Sequence, residues 1–506
     1  MPNNDNLYAV LVSRFTGASN PAFIVPSGET LSYKELDALV GRYAGALVRL
    51  GVKPGDRVTV KVEKSLAGAA LYLAALRMGA VYNPLNTAYT ASELEYFISD
   101  AQPTVLVVAP EKADAISRSA LEHGVLAVET LDADGLGSMA ALARNAAPFA
   151  SVEQRGENDL AAILYTSGTT GKSKGAMITH GNLTSNIAAL HEAWAFQPGD
   201  VLLHALPIYH VHGLFVALGT ALYNASPIIW LPKFDATQVA ALLPKATVMM
   251  GVPTFYTRLL DEPTFDAALV KHMRLFVAGS APLLSETHAK FFYRTGHHIL
   301  ERYGMTETGM ITSNPYDGGR IAGTVGYPLP GVSVRIADPE GKEMTAREPG
   351  VIEVNGPNVF SGYWRMPEKT REEFRADGYF ITGDIGVREP DGRISIVGRA
   401  KDLIITGGFN VYPKEIETEI DAMSGVVESA VVGVPHPDFG EGVIAVVVAA
   451  KGAACGEAEI IAALNDKLAR FKLPKRVFFA PALPRNAMGK VQKVELRQAY
   501  ATTFKA

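Results

Sequence analysis

Between Leu160 and Tyr303 the chain alternates short apolar runs with longer amphipathic ones, and this rhythm restricts the fold more than any other feature. A short uninterrupted apolar run suits a strand buried on both faces. A stretch with apolar residues every three or four positions suits a helix laid across such a strand. Strands are predicted at Ala161–Leu164, Val201–Ala205, Ile228–Leu231, Thr247–Gly251, Leu275–Ala278 and Ile299–Glu301. Helices are predicted at Asn182–Trp194, Ala236–Leu243 and Ser285–Arg294. The order implies a largely parallel sheet with helices on both faces. Val58–Lys61 followed by Ser65–Arg77, and then Thr104–Val108, extend the rhythm upstream.

Beyond about Gly323 the texture changes. Alternating runs at Val332–Ile336, Val351–Val354 and Ile394–Val397 predict antiparallel strands, with Pro390-Asp391-Gly392 as a hairpin turn. A boundary is expected near Arg399–Asp402, followed by a smaller α+β domain with a helix at Pro413–Ala422 and strands at Val426–Val434 and Val443–Ala449. At 506 residues the chain exceeds a single core, so several domains are required. The fold class is therefore α/β: a large N-terminal domain of mostly parallel sheets with a β-rich subdomain, then a small α+β C-terminal domain.

The bulk composition excludes several function classes. Hydrophobic content of 48% with 20% charged residues is that of an ordinary globular protein. A net charge of −5 argues against a nucleic-acid surface, and Cys455 alone offers neither a disulfide framework nor a metal cluster. The N-terminal stretch lacks a basic region followed by an apolar core, and the most apolar region, Val201–Pro232, is interrupted by histidines and prolines. No signal peptide and no membrane span are expected, which makes a cytoplasmic location the default. The small domain is electrically lopsided. Asp402–Asp466 holds 11 acids and 2 bases, Lys467–Ala506 holds 10 bases and 1 acid. Either the basic stretch is a solvated tail, or Arg470, Lys472, Lys475 and Arg476 attract an anionic ligand.

Tyr165–Gly175 reads YTSGTTGKSKG, directly after a predicted strand. Glycines let backbone N–H groups turn toward a ligand, hydroxyls donate hydrogen bonds, and lysines neutralise charge, a combination suited to a polyphosphate. Gly171-Lys172-Ser173 imitates the end of a Walker A loop, but that spacing requires glycine where this chain has Thr166. Four more segments pair glycine-enabled turns with charged side chains: Arg302–Thr308 (RYGMTET), Tyr379–Asp384 (YFITGD), Gly398–Asp402 (GRAKD) and Pro484–Lys490 (PRNAMGK).

In this order and spacing, the five segments closely resemble the acyl-adenylate-forming superfamily of acyl-CoA synthetases, adenylation domains and luciferases, over nearly the whole chain. The resemblance implies two steps. An acid and ATP give acyl-AMP and pyrophosphate, and coenzyme A then gives acyl-CoA and AMP. It further implies that Thr166, Ser167, Gly168, Thr169, Thr170, Gly171 and Lys174 hold the β- and γ-phosphates, that Glu307 holds Mg²⁺, that Thr306 contacts the α-phosphate and that Tyr303 stacks on adenine. Asp384 would accept the ribose hydroxyls, Arg399 would donate to ribose or phosphate, and Lys490 would be the catalytic cation. The domains implied are 1–398, a hinge at 399–402 pivoting on Lys401, and a mobile 403–506 carrying that lysine. Gly407, Gly408 and Phe409 would line the pantetheine channel.

Specificity is read from Arg302, where many relatives have a small residue ahead of the tyrosine. A buried guanidinium needs an anion, and a second carboxylate on the substrate supplies one with bidentate geometry. Arg258 would add a donor, Ser280 a hydroxyl, and His210, ahead of His212, a pocket wall. Malonate fits such a pocket best and methylmalonate next, in line with the malonate-activating branch that the chain most resembles. The alternative for Arg302 is an ion pair with Glu301 or Glu307. Rival readings are a monocarboxylate ligase and a carrier-loading adenylation module.

Overall fold

The computed structural model describes residues 4–166, 173–453, 455–465, 467–486 and 489–504. The predicted alternation forms two parallel sheets. In one, Leu300–Met305, Leu275–Ala278, Val248–Gly251, Leu202–His204, Ile228–Trp230 and Pro21–Ile24 run parallel in that spatial order. Antiparallel strands close both edges: Gly309–Ser313 and Tyr327–Pro328 on one side, Thr30–Ser32 on the other. In the second sheet Ala127–Thr130, Val105–Val108, Arg57–Lys61, Val81–Pro84 and Leu160–Thr166 are parallel, and Lys174–Thr179 returns antiparallel. The run that begins at Leu160 thus starts in one sheet and continues in another. Periodicity defines strands but not which sheet each joins.

Local chemistry sets the elements. Val105–Val108 is buried along its whole length, as a strand covered by helices on both faces must be. Helix Tyr33–Arg49 starts at a capping box in which Ser32 and Glu35 satisfy each other's backbone N–H groups, and Thr90 with Glu93 does the same for helix Ala91–Ala101. Thr179 caps helix His180–Ala193 by accepting from the Asn182 N–H. The helices Tyr33–Arg49 and Leu66–Arg77 belong to one continuous core with residues of both sheets.

Four antiparallel strands follow, Ser333–Ala337, Gly350–Asn355, Phe380–Arg388 and Ile394–Arg399. The hairpin between the last two turns at Gly392, whose φ of 92° lies in the left-handed region, and the Gly392 N–H donates to Glu389 O at 2.9 Å. After the short turn Ala400–Asp402 comes a five-stranded sheet built on the long pair Val426–His436 and Gly440–Ala449, with its own core.

The lopsided charge of this last region folds back on itself. Lys467 pairs with Glu419, Lys472 with Glu415, Arg476 with Glu457, Arg485 with Glu428, Lys493 with Glu417 and Arg497 with Asp402. Lys472 and Arg476, two of the four cations expected to attract a ligand, are engaged by neighbours. Lys475 lies over the Phe439 ring at 4.0 Å. Such partly exposed pairs are worth about 0–1 kcal/mol each, so they orient the tail more than they hold it.

The hairpin Leu300–Met305/Gly309–Ser313 leaves no room at Gly304. A Cβ there would lie 2.1 Å from Gly309 O and 2.7 Å from Met310 Cα, both backbone. Gly304→Ala is expected to lower stability by about 1–3 kcal/mol. Urea unfolding checks this through the transition midpoint; an unchanged midpoint would show that the hairpin yields without cost.

Candidate active site

The same hairpin carries the residues expected at a nucleotide edge. Its tight turn, Thr306-Glu307-Thr308, is pinned by two buried asparagines. Asn186 accepts from Met310 N at 2.9 Å and donates to Met310 O at 2.8 Å, and Asn358 donates to Thr308 O at 2.8 Å. Glu307 is thereby held in the interior, where burial pushes its carboxyl above the usual range. Its Oε1 lies 3.3 Å from Thr166 Oγ1 and 3.1 Å from the Tyr363 hydroxyl. That hydroxyl also lies 2.6 Å from Glu373 Oε2. With one proton it donates to one carboxylate at a time. Although burial acts to raise it, hydrogen bonds from Lys174 and Tyr363 hold the Glu373 carboxyl below its ordinary range. Lys174, expected on phosphate, pairs with Glu373 at 2.8 Å and lies over the Tyr363 ring. Ser167, Gly168, Thr169, Thr170 and Gly171 lie outside the described residues.

Asp384 and Arg399 face each other on adjacent antiparallel strands, 2.9 Å apart from Oδ1 to Nε. The other oxygen of Asp384 accepts from the Tyr303 hydroxyl at 2.6 Å. Tyr303 is thus fixed by its hydroxyl, and burial followed by the Asp384 charge holds its proton on strongly. Lys490 approaches this group from the small domain. Its N–H donates to Asn486 Oδ1 at 2.9 Å, and Gly489, with φ of 74°, packs toward Thr254 of the large domain. Burial, then the Arg399 charge, pushes the Lys490 ammonium down to about 8.

Arg302 lies on strand Leu300–Met305, 4% exposed, and its Nε and Nη2 have no hydrogen-bond partner. Burial pushes it down to about 9. Neither ion pair offered as the alternative is formed. Glu301 accepts from Gly323 N at 3.1 Å and is itself pushed up to about 8 by burial, while Glu307 faces Thr166 and Tyr363. The guanidinium occupies the space beside Gly279, where a Cβ would come within 2.3 Å of its Cζ. The next residue, Ser280, takes a left-handed φ of 71° that few non-glycine residues adopt. Its hydroxyl lies 3.2 Å from His212 Nδ1. His212 opens a π-helical turn, His212–Ala217, and its Nε2 is buried without a partner. With Ser280 donating to Nδ1, Nε2 carries the proton and is a further donor.

Of the two histidines, His212 joins Ser280, while His210, the one favoured from sequence, is half-buried against Tyr209 and pushed down to about 4 by burial. Arg258 is exposed on the last turn of helix Pro253–Leu260, with no hydrogen bond or ion pair among the described residues. Gly407 and Gly408, with φ of 57° and 82°, turn the hairpin Ile404–Thr406/Phe409–Val411, and exposed Phe409 stacks on Phe471 at 4.6 Å. Lys401 is exposed on the turn between the domains, beside the Asp402–Arg497 pair. Sequence reasoning missed Tyr363, Glu373, Asn186, Asn358 and Gly279. None carries a spacing signal, because each meets the site only through tertiary packing.

The chain as a whole is similar to known proteins. The AMP-binding enzyme family pattern matches residues 14–364, and the AMP-binding enzyme C-terminal domain matches residues 415–490. A malonate–CoA ligase of Arabidopsis thaliana is 35% identical over 98% of this chain and 89% of its own. A feruloyl-CoA synthase of Amycolatopsis is 35% identical over 94% of each chain. The crystal structure of ATP-bound MatB from Rhodopseudomonas palustris superposes with a TM-score of 0.97 at 56% identity, covering 99% of this chain and 100% of that one.

Two expectations follow. An unpaired buried cation destabilises the protein that holds it, so Arg302→Met is expected to stabilise the ligand-free protein by about 1–4 kcal/mol in urea unfolding. A loss of stability would mean that Arg302 has an internal partner. Lys490 keeps its charge below a pH of about 8 and loses it above. If that charge drives adenylation, the single-turnover rate falls about tenfold per pH unit above that point. A rate level to pH 10 would remove Lys490 from that role.

Proposed function

Because the chain belongs to the AMP-binding enzyme family, we propose that it is an acid–CoA ligase that converts malonate, ATP and coenzyme A to malonyl-CoA, AMP and pyrophosphate through malonyl-AMP. The observation that carries this reading is the buried Arg302 guanidinium with Nε and Nη2 unpartnered. Two donors fixed in one plane fit a carboxylate, and leaving them unpaired is costly. One carboxylate of malonate accepts from Arg302 and from His212, which directs the other toward the nucleotide edge. A fatty or aromatic acid would leave those donors buried and unsatisfied.

In the first step an oxygen of the free carboxylate attacks the α-phosphorus of ATP. An O–P bond forms, the bond to pyrophosphate breaks, and Lys490 neutralises the spreading charge. Thr306 contacts the α-phosphate, while Thr166, Ser167, Gly168, Thr169, Thr170, Gly171 and Lys174 hold the outer phosphates. The last of these duties requires Lys174 to exchange Glu373 for phosphate. Asp384 accepts from ribose, Arg399 donates to ribose or phosphate, and Tyr303 supports the adenine. In the second step the coenzyme A thiol attacks the acyl carbon and AMP leaves.

Mg²⁺ suits Glu307, a buried carboxylate with the Thr166 hydroxyl beside it: hard oxygen donors that need few further protein ligands when phosphates supply the rest. Bound there, it would neutralise phosphate charge. Between the steps the small domain, 403–506, turns about 399–402 with Lys401 as pivot, bringing Gly407, Gly408 and Phe409 to the pantetheine channel. Among the described residues no helix is long and apolar enough to cross a membrane. A cytoplasmic location is part of the proposal.

Pyrophosphate release with malonate, methylmalonate, acetate, octanoate and coumarate tests the assignment. Malonate is expected to give the highest kcat/KM. Arg302→Ala is expected to lower that value roughly 10- to 100-fold, as loss of a charged hydrogen bond implies, with the KM for ATP within about twofold. Comparable turnover of octanoate or coumarate, or an undiminished Arg302→Ala, would overturn the reading.

A further inference from the structure

A second cavity, of about 510 Å³, lies beside helix Tyr33–Arg49 and the start of helix Leu66–Arg77, and Arg302, Ser280 and His212 do not line it. Its wall includes Lys64, which is 6% exposed and has no carboxylate partner among the described residues. The Lys64 ammonium donates to His204 Nδ1 at 2.8 Å and to His204 O at 2.9 Å, and it lies 4.1 Å from the centre of the Trp230 ring. Because His204 Nδ1 accepts, its Nε2 carries the proton and donates to Gly213 O at 2.8 Å. An ammonium has three N–H groups, so one is left over. Trp230 also lines the cavity. It is 3% exposed, and its Nε1–H is buried without an acceptor.

Lys64 therefore brings a spare donor to this wall, whereas the Trp230 N–H is enclosed by protein atoms and has no surface open to the cavity. Arg42 and Arg144 add positive charge, neither having an ion pair among the described residues, while Glu29 and Asp134 oppose them with two carboxylates against three cations. A neutral ligand could satisfy the donors but not the uncompensated lysine, whose charge burial disfavours. An acceptor that also carries negative charge does both. The volume is that of a small-molecule site, and its apolar lining includes Leu39 and Tyr43 of helix Tyr33–Arg49 and Ala140 and Ala143 of helix Ser138–Asn145.

We propose that this cavity is a second binding site, separate from the acid and nucleotide sites, for a small organic anion whose carboxylate, sulfonate or phosphate ester lies on Lys64, with Arg42 and Arg144 nearby, and whose apolar body packs on these helices. The fluorescent aryl sulfonate 8-anilinonaphthalene-1-sulfonate is a suitable probe, titrated into the full-length protein with saturating AMP and malonate. One equivalent is expected to bind. Lys64→Met, which replaces a buried cation by an apolar side chain of similar length, is expected to weaken it roughly 10- to 100-fold. Arg144→Ala, at an exposed position, is expected to weaken it about two- to fivefold. If Lys64→Met does not fold, the exposed Arg144→Ala carries the test. Displacement of the probe by AMP and malonate, or unchanged affinity in Lys64→Met or Arg144→Ala, would overturn the proposal.

Discussion

The organisation of this protein depends on desolvating a positive charge without giving it a counter-charge. Water stabilises a guanidinium strongly, and removing that water is repaid only when anionic groups take its place. The fold withholds them at Arg302. Glu301 is turned to a backbone amide, Glu307 to hydroxyls, and Gly279 clears the space that the guanidinium fills. Such an arrangement persists only in a rigid surround, which the parallel sheet supplies with strands buried on both faces and ordered by neighbours on both edges. The left-handed Ser280 and the π-turn at His212 are local departures from regular backbone gathered at one point. Irregularities of this kind concentrate where a site is held ready.

The small domain takes the opposite course. Its acids and bases are separated in sequence and reunited in space, six basic side chains of the C-terminal stretch each meeting a carboxylate. Lys490 differs from them, since the charges acting on it include Asp384 of the large domain and Arg399 at the hinge. What looks like a basic tail is thus largely neutralised by its own domain, while this one ammonium is turned across the boundary.

Much of the architecture was legible because buried strands and amphipathic helices leave direct traces in residue order. Val248–Gly251 and Leu275–Ala278 lie within a residue of the predicted limits. Sheet membership was not legible, since pairing is settled between segments far apart. The site divides in the same way. Tyr303, Glu307, Asp384 and Lys490 stood out because glycine-bearing turns flank them. Tyr363 and Glu373 did not, being ordinary residues made relevant only by the fold. His212 was ranked second because two histidines one residue apart cannot be told apart until the backbone bends, and a π-turn is not a periodicity that pattern reading detects.

Arg302 and Tyr303 are neighbours on one strand, so their side chains leave opposite faces of the sheet. One reaches past Gly279 toward the His212 side, the other meets Asp384. A single peptide unit therefore separates the group proposed to choose the acid from one proposed to lie at the nucleotide edge, with the sheet as partition between them. Evolution can rewrite one side of such a partition without disturbing the other. On this reading a change of acid needs only the residue on one face of that strand to be exchanged, with the site on the other face left standing.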